Sequence, residues 1–175
     1  LVHFLNYCTT HPDATIRYLA SDMVLHVHSD ASYLSEPQAR SRAGGHFFMA
    51  NKIKAGMPVL NNRAILNIST IIRNVMLSAA EVELAALFTN AKEATVLRTT
   101  LTEMGHPQPV TPIQVDNSTA DGIANETVKQ QRSKAIDMRF YWIRDRIAQN
   151  QFYVYWAPGK NNLADYFTKH HPAPH

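Results

Sequence analysis

One cysteine in 175 residues, Cys8, excludes an internal disulfide framework and fits a reducing compartment. No apolar stretch approaches the roughly 20 residues that span a bilayer. The N-terminal residues also lack a signal-peptide pattern. There is no glycine-rich phosphate loop, and no Cys-His or Ser-His pairing stands out as a nucleophile. A start at Leu1, and not at methionine, points to a segment of something longer. What is present is 45% hydrophobic content, enough to bury one core without covalent staples. The chain reads as one compact soluble domain, with no internal repeat, low-complexity tract or second domain.

Net charge is only +3, but the basic residues are unevenly placed. Lys129, Arg132, Lys134, Arg139, Arg144 and Arg146 stand close together against Asp137 and Asp145, so an anionic partner is expected on that side. Residues 1 to 21 read as a lead-in, with a short helix through Val2, Phe4 and Leu5 ending before His11-Pro12-Asp13. Strands are expected at Met23 to Ser29, closed by a polar Asp30 to Ser35 stretch, at Gly45 to Met49, and at Ala64 to Ile68 with Ile71 and Ile72. Short links between them imply an antiparallel meander. Gly56, Pro58 and Asn61-Asn62 mark a loop.

The longest helix is expected from Ser78 to about Met104, with Leu84, Leu87, Phe88, Ala91, Ala94 and Leu97 on its apolar face and Gly105-His106-Pro107 as its stop. Ile113 to Val115, flanked by Pro112 and Asp116, reads as a short strand. A short helix from Ser118 to about Asn125 follows, then a longer one from Ser133 to Ile147 carrying Ile136, Phe140, Ile143 and Ile147. Alternation of Phe152, Val154 and Trp156 with Tyr153 and Tyr155 signals another strand. Pro158-Gly159 turns the chain, and Asn162 can cap a last helix through Lys169.

Four acidic residues stand out in this frame. Asp30 and Asp116 end strand-like runs, where sites on α/β sheets collect. Turn or cap duty is their bland alternative. Ser78-Ala79-Ala80-Glu81 is a capping box, so Glu81 has a structural task, reaching back to the Ser78 N–H. Glu83 lies about 200° further round the helix, on the apolar stripe, where a carboxylate requires a partner. Asp165, in a helix first turn, also suits the positive end of a helix dipole. Converging carboxylates repel one another unless a divalent metal neutralises them, which points to metal-dependent phosphoryl transfer. His26, His28 and Asp30 share a strand face, but with no third imidazole or cysteine at ligand spacing the zinc signal is weak. The histidines of the Pro-rich tail, His170, His171 and His175, carry no such pattern.

The succession Ser29-Asp30-Ala31-Ser32, Ser78 to Leu84, Val115-Asp116-Asn117-Ser118 and Asn162 to Lys169 resembles the ribonuclease H domain of copia-type LTR retrotransposons. Ser133 to Phe140 is similar to its helix before the last strand. The resemblance covers about Met23 to Pro172 and implies a ribonuclease H-like α/β fold: a five-stranded mixed sheet, strands 1 to 3 antiparallel and then two parallel, flanked by helices. It divides the chain into a lead-in or linker (1–21), the domain (22–172) and a tail (173–175). The implied activity is hydrolysis of the RNA strand of RNA·DNA hybrids during reverse transcription, in the cytoplasm or within virus-like particles, with 5'-phosphate and 3'-hydroxyl products. Asp30, Glu83, Asp116 and Asp165 would bind two Mg²⁺ ions, with Mn²⁺ as a substitute.

Candidate nucleic-acid contacts are Ser32, Asn117, Ser118 and Lys160, with Lys134, Arg139 and Arg144 from the basic segment. Implied partners are the hybrid and the reverse transcriptase domain of the same polyprotein, with no membrane. Where many family members have a loop histidine, this chain has Gly159-Lys160-Asn161, from which slow turnover is expected. Bacterial relatives carry a basic handle, for which Lys129 to Arg146 is the nearest counterpart. A catalytically silent binding or tethering module of the same fold is the alternative, disfavoured by the presence of all four acids. An integrase or resolvase core lacks the matching acid spacing.

Overall fold

The computed structural model describes residues 1–54, 59–118, 122 and 134–171, with only the backbone for 134–137. Its elements are α1 (Val2–Thr10), β1 (Val24–Glu36), β2 (Arg40–Ala50), β3 (Ala64–Ile72), α2 (Ala79–Glu103), β4 (Thr111–Val115), α3 (Lys134–Ala148) and β5 (Phe152–Trp156). Two 3-10 segments, Gly159–Asn161 and Leu163–Phe167, follow. The strands form one five-stranded sheet in the order β3-β2-β1-β4-β5. β1, β2 and β3 pair antiparallel, whereas β4 joins β1, and β5 joins β4, in parallel. This is the expected mixed sheet with flanking helices.

α2 starts where its capping box predicts. The Ser78 hydroxyl accepts from Glu81 N–H, and Glu81 returns its carboxylate to Leu77 N–H at 2.9 Å. The expected acceptor contact was with Ser78; with Ser78 extended (φ −150°, ψ 158°), the observed bond reaches one residue further back. The helix ends in a Schellman motif: His106 N donates to Leu101 O and Gly105 N to Thr102 O, with Gly105 at φ +88°. Leu84, Leu87, Ala91 and Ala94 of α2 pack with Leu25, Val27, Phe47 and Ile113 of the sheet, joined by Phe140 and Ile143 of α3. Burying each such leucine contributes about 2 kcal/mol, and the pattern orients every other residue on the helix.

Three expectations need correction. Asp30 to Ser35 is not a turn, because β1 continues to Glu36 and pairs with β2 down to Glu36↔Arg40. The turn is the loop 37–39, where Gln38 and Ala39 take φ of 61° and 54°. Pro112 lies inside β4, not beside it. Its missing N–H is tolerated because the β1 ladder begins only at Val27↔Ile113, and the Gln108 amide serves Leu25 N–H and Met23 C=O just before it. The last helix is 3-10 and not α, although Asn162 caps it as expected by accepting from Ala164 N–H.

α1 forms as expected and buries none of its residues. Downstream of it the chain is already tied to the sheet: Asn62 bonds both the N–H and C=O of Leu19, and the Asp22 carboxylate accepts from Lys52 N–H. Of the remaining expectations, Gly56, Pro58, Lys129, Arg132, the Ile136 and Lys134 side chains, most of the Ser118 to Asn125 helix and His175 lie outside the described residues. No helix among the described residues is long and apolar enough to cross a membrane.

Candidate functional site

The parallel register of β1 and β4 aligns Val27 with Ile113 and His28 with Gln114. Two residues further along each strand stand Asp30 and Asp116, which therefore face the same end of the sheet. Glu83, in the first turns of α2, enters from the helical layer on the stripe that carries Leu87 and Ala94. Carboxylate oxygens of Asp30, Glu83 and Asp116 lie within 4.8 Å of one another. Asp30 and Glu83 are buried and Asp116 half-buried.

Such crowding is visible in their protonation. Burial pushes the Glu83 carboxyl up to about 9, with the charges of Asp30 and Asp116 adding to it and a bond from Ala31 N–H opposing. Asp30 rises to about 6, again chiefly by burial, with the Thr168 hydroxyl pulling the other way. Asp116 is raised mainly by burial, and Asp165 adds while Lys169 opposes. Glu83 Oε2 is buried and has no hydrogen-bond partner among the described residues. An orphaned carboxylate oxygen beside two further anionic groups fits a divalent cation, and an all-oxygen donor set suits Mg²⁺ or Mn²⁺.

The neighbours of each acid are specific. Trp156 Nε1 donates to the Asp116 carbonyl at 2.9 Å. Gly159 packs so closely that a Cβ there would lie 2.8 Å from Asp116 Oδ2. Asp165 lies near enough to raise both Asp30 and Asp116, but its own Oδ2 is bound to Lys169 Nζ at 2.7 Å. It thus stands beside the trio and not inside it. Asn90, on the apolar face of α2, donates to Ser29 Oγ and Gly44 O, each at 2.8 Å, and so locks the helix, and Glu83 with it, to β1 and β2. Sequence reasoning passed over Asn90; a lone amide on an apolar stripe was the available signal.

The strand histidines, weak zinc candidates by sequence, take structural partners instead. Among the described residues the grouping at ligand distance is Asp30, Glu83 and Asp116, without histidine. His26 Nε2 faces Asn51 O at 3.0 Å, and His28 Nδ1 accepts from Leu163 N–H. Burial holds His26, His28 and His46 below the usual histidine range, His28 at about 3.

The expected nucleic-acid residues belong to several different segments. The Ser32 hydroxyl is engaged by Ser35 at 2.5 Å. Asn117 is half-buried next to Asp116, Ser118 and Lys160 are exposed, and the Lys134 side chain lies outside the described residues. Arg144 lies 5.1 Å over the Phe140 ring. Arg139 lies 5.8 Å from the Phe88 ring centre, as does Lys92. With Arg73, Thr70 and Asn74 they line an open cleft of about 460 Å³. A larger apolar cavity, about 570 Å³ between Val24, Pro109, Ile147 and Phe152, lies at the opposite end of the parallel strands and contains none of the carboxylates.

No protein-family model matches the chain. It is 27% identical over 149 residues to the retrovirus-related Pol polyprotein from transposon TNT 1-94 of Nicotiana tabacum, covering 85% of this chain and 10% of that protein. It is 25% identical over 142 residues to the transposon Ty1-JR1 Gag-Pol polyprotein of Saccharomyces cerevisiae, covering 81% of this chain and 8% of that one. The chain therefore spans about a tenth of the length of the polyproteins it matches. Among solved structures, LC11-RNase H1 in complex with an RNA/DNA hybrid superposes with a TM-score of 0.57 at 12% identity, covering 82% of this chain and 92% of that one. The fold is that of ribonuclease H, and the sequence relatives are retrotransposon Pol polyproteins.

Proposed function

We propose that this relative of retrotransposon Pol polyproteins, with its ribonuclease H fold, is an endonuclease hydrolysing the RNA strand of RNA·DNA hybrids in reverse transcription. The observation that carries the reading is the carboxylate trio, two of its members buried and one half-buried, with its oxygens within 4.8 Å and Glu83 Oε2 unpartnered among the described residues. Asp30, Glu83 and Asp116 would hold one Mg²⁺ or Mn²⁺, and Asp165, released by Lys169, would help Asp30 hold a second. Bound metal would activate the attacking water and neutralise charge on the leaving 3' oxygen, consistent with 5'-phosphate and 3'-hydroxyl products.

The protein's own part is to keep the carboxylates fixed before substrate arrives. Ala31 N–H holds Glu83, Trp156 holds the Asp116 carbonyl and Asn90 holds α2 on the sheet. Preorganised charge of this kind needs no rearrangement as the reaction proceeds. Phosphate contacts are assigned to the Arg73, Lys92 and Arg139 cleft, with Arg144, Lys134 and Lys160 as further cations and Ser32, Asn117 and Ser118 as polar contacts near the acids. A nuclease indifferent to base sequence recognises backbone shape and the RNA 2'-hydroxyls.

The same reading assigns 22–172 to the nuclease domain, 1–21 to a linker and 173–175 to a tail. It makes the reverse transcriptase domain of the same polyprotein the partner, within the cytoplasm or a virus-like particle. The hybrid complex of LC11-RNase H1 supports the substrate class. Labelled hybrid, duplex DNA and duplex RNA, each incubated with Mg²⁺ or EDTA, test it: only hybrid with Mg²⁺ should be cut. Intact hybrid in Mg²⁺, with binding retained, would favour the silent module instead.

A further inference from the structure

Outside the four acids, Thr168 is a buried side chain bonded directly to one of them. It is buried, 2% exposed, and its hydroxyl donates to Asp30 Oδ2. The same oxygen lies 3.0 Å from the Asp165 carbonyl, but a hydroxyl has one proton, and the carboxylate is the stronger acceptor. The backbone around Thr168 is stapled to the sheet. Asn162 Nδ2 donates to Ser29 O at 2.8 Å, Leu163 N–H to His28 Nδ1 at 3.0 Å, and Ser69 Oγ to Phe167 O at 2.7 Å. Gly44, which pairs with Asp30 across β1 and β2, makes room: a Cβ there would sit 2.6 Å from Thr168 Cγ2 and 2.7 Å from Ala164 O. One unsubstituted position and three anchors therefore deliver this hydroxyl to this carboxylate.

We infer that Thr168 is a positioning residue for Asp30, its hydroxyl holding Oδ2 so that the carboxylate keeps one orientation and offers its second oxygen to a cation. The inference rests on the reading of Asp30 as a metal ligand. Thr168→Val preserves shape and deletes the hydroxyl, whereas Thr168→Ser keeps the hydroxyl and deletes the methyl that packs on Gly44. Mn²⁺ binding by calorimetry without substrate is the primary measurement, with kcat and KM for hybrid cleavage alongside. Valine should weaken Mn²⁺ binding about tenfold, the scale of one hydrogen bond to a charged group, and lower kcat with KM unchanged. Serine should stay within about twofold of the parent.

Parental Mn²⁺ affinity in Thr168→Val, or serine failing as badly as valine, would overturn the inference. If valine does not fold, Gly44→Ala, which pushes Thr168 off the sheet, must weaken Mn²⁺ binding as well, and normal binding there would equally overturn it. Asp30→Asn is measured in parallel. Undiminished Mn²⁺ binding in that variant sinks the ligand reading itself, whereas its loss combined with normal binding in Thr168→Val sinks only the positioning role.

Discussion

Glu83→Gln should stabilise the metal-free protein while destroying its activity. Burial and the charges of Asp30 and Asp116 carry the Glu83 carboxyl from 4.5 up to about 9. Between those values the folded protein keeps a proton that the unfolded chain has released, so stability falls as pH rises, by about 1.4 kcal/mol per unit. At pH 7 two and a half units of that window have been crossed, a penalty on the order of 3 kcal/mol. Glutamine has the same shape and no such window, and neighbouring carboxylate oxygens can accept from its NH₂. Urea unfolding of both proteins in EDTA at pH 5, 7 and 8.5 gives the comparison. The variant's advantage should be under about 1 kcal/mol at pH 5 and grow to about 3 at pH 7. Contributions of Asp30 and the buried histidines cancel to first order in this difference. Saturating Mg²⁺ should stabilise the parent and much less the variant. A stability difference that stays constant from pH 5 to 8.5 would refute the argument that Glu83 is held neutral by burial.

Asp30→Asn and Asp116→Asn should each abolish hybrid cleavage with unchanged circular dichroism, because an amide fills the space but cannot balance a cation's charge; near-normal cleavage discards the assignment. Glu81→Gln should keep its activity and lose roughly 0.5 to 2 kcal/mol in urea unfolding, as a weakened cap. The buried His28, at about 3, stays neutral while the unfolded chain takes up protons below 6.5. Stability should therefore fall as pH drops below 6.5, by about 2 kcal/mol at pH 5 relative to His28→Gln, and parallel melting profiles of the two proteins would contradict this. Arg139→Ala with Arg144→Ala, in an Asp116→Asn background, should flatten the dependence of log affinity for hybrid on log salt; an unchanged slope removes this helix from the binding surface.

Much of the framework is written locally in the sequence. The limits of α2 follow from a capping box and a glycine stop, and helical spacing alone distinguishes Glu83, turned toward the sheet, from Glu81, turned to the cap. The buried Phe140 and Ile143 of α3 and the alternation in β5 are likewise periodic signals a few residues long. Where local pattern and structure part company, the cause is a partner far along the chain. The polar Asp30 to Ser35 stretch looks like a turn by composition, but β2 pairs with it and extends the strand. Pro112 looks like a flank, but β5 pairs with it and with Thr111 before it, which extends the strand.

What the sequence alone determined is which residues could be catalytic and on which face of its own element each one sits, since propensity, capping and side-chain periodicity act over a few residues. Only the tertiary structure decided that Asp30 and Asp116 stand level, that Glu83 keeps a buried oxygen without a partner among the described residues, and that Thr168 reaches Asp30 across 138 positions. Those depend on strand order, parallel register and the space left by Gly44, which arise from packing between distant segments and leave no local trace.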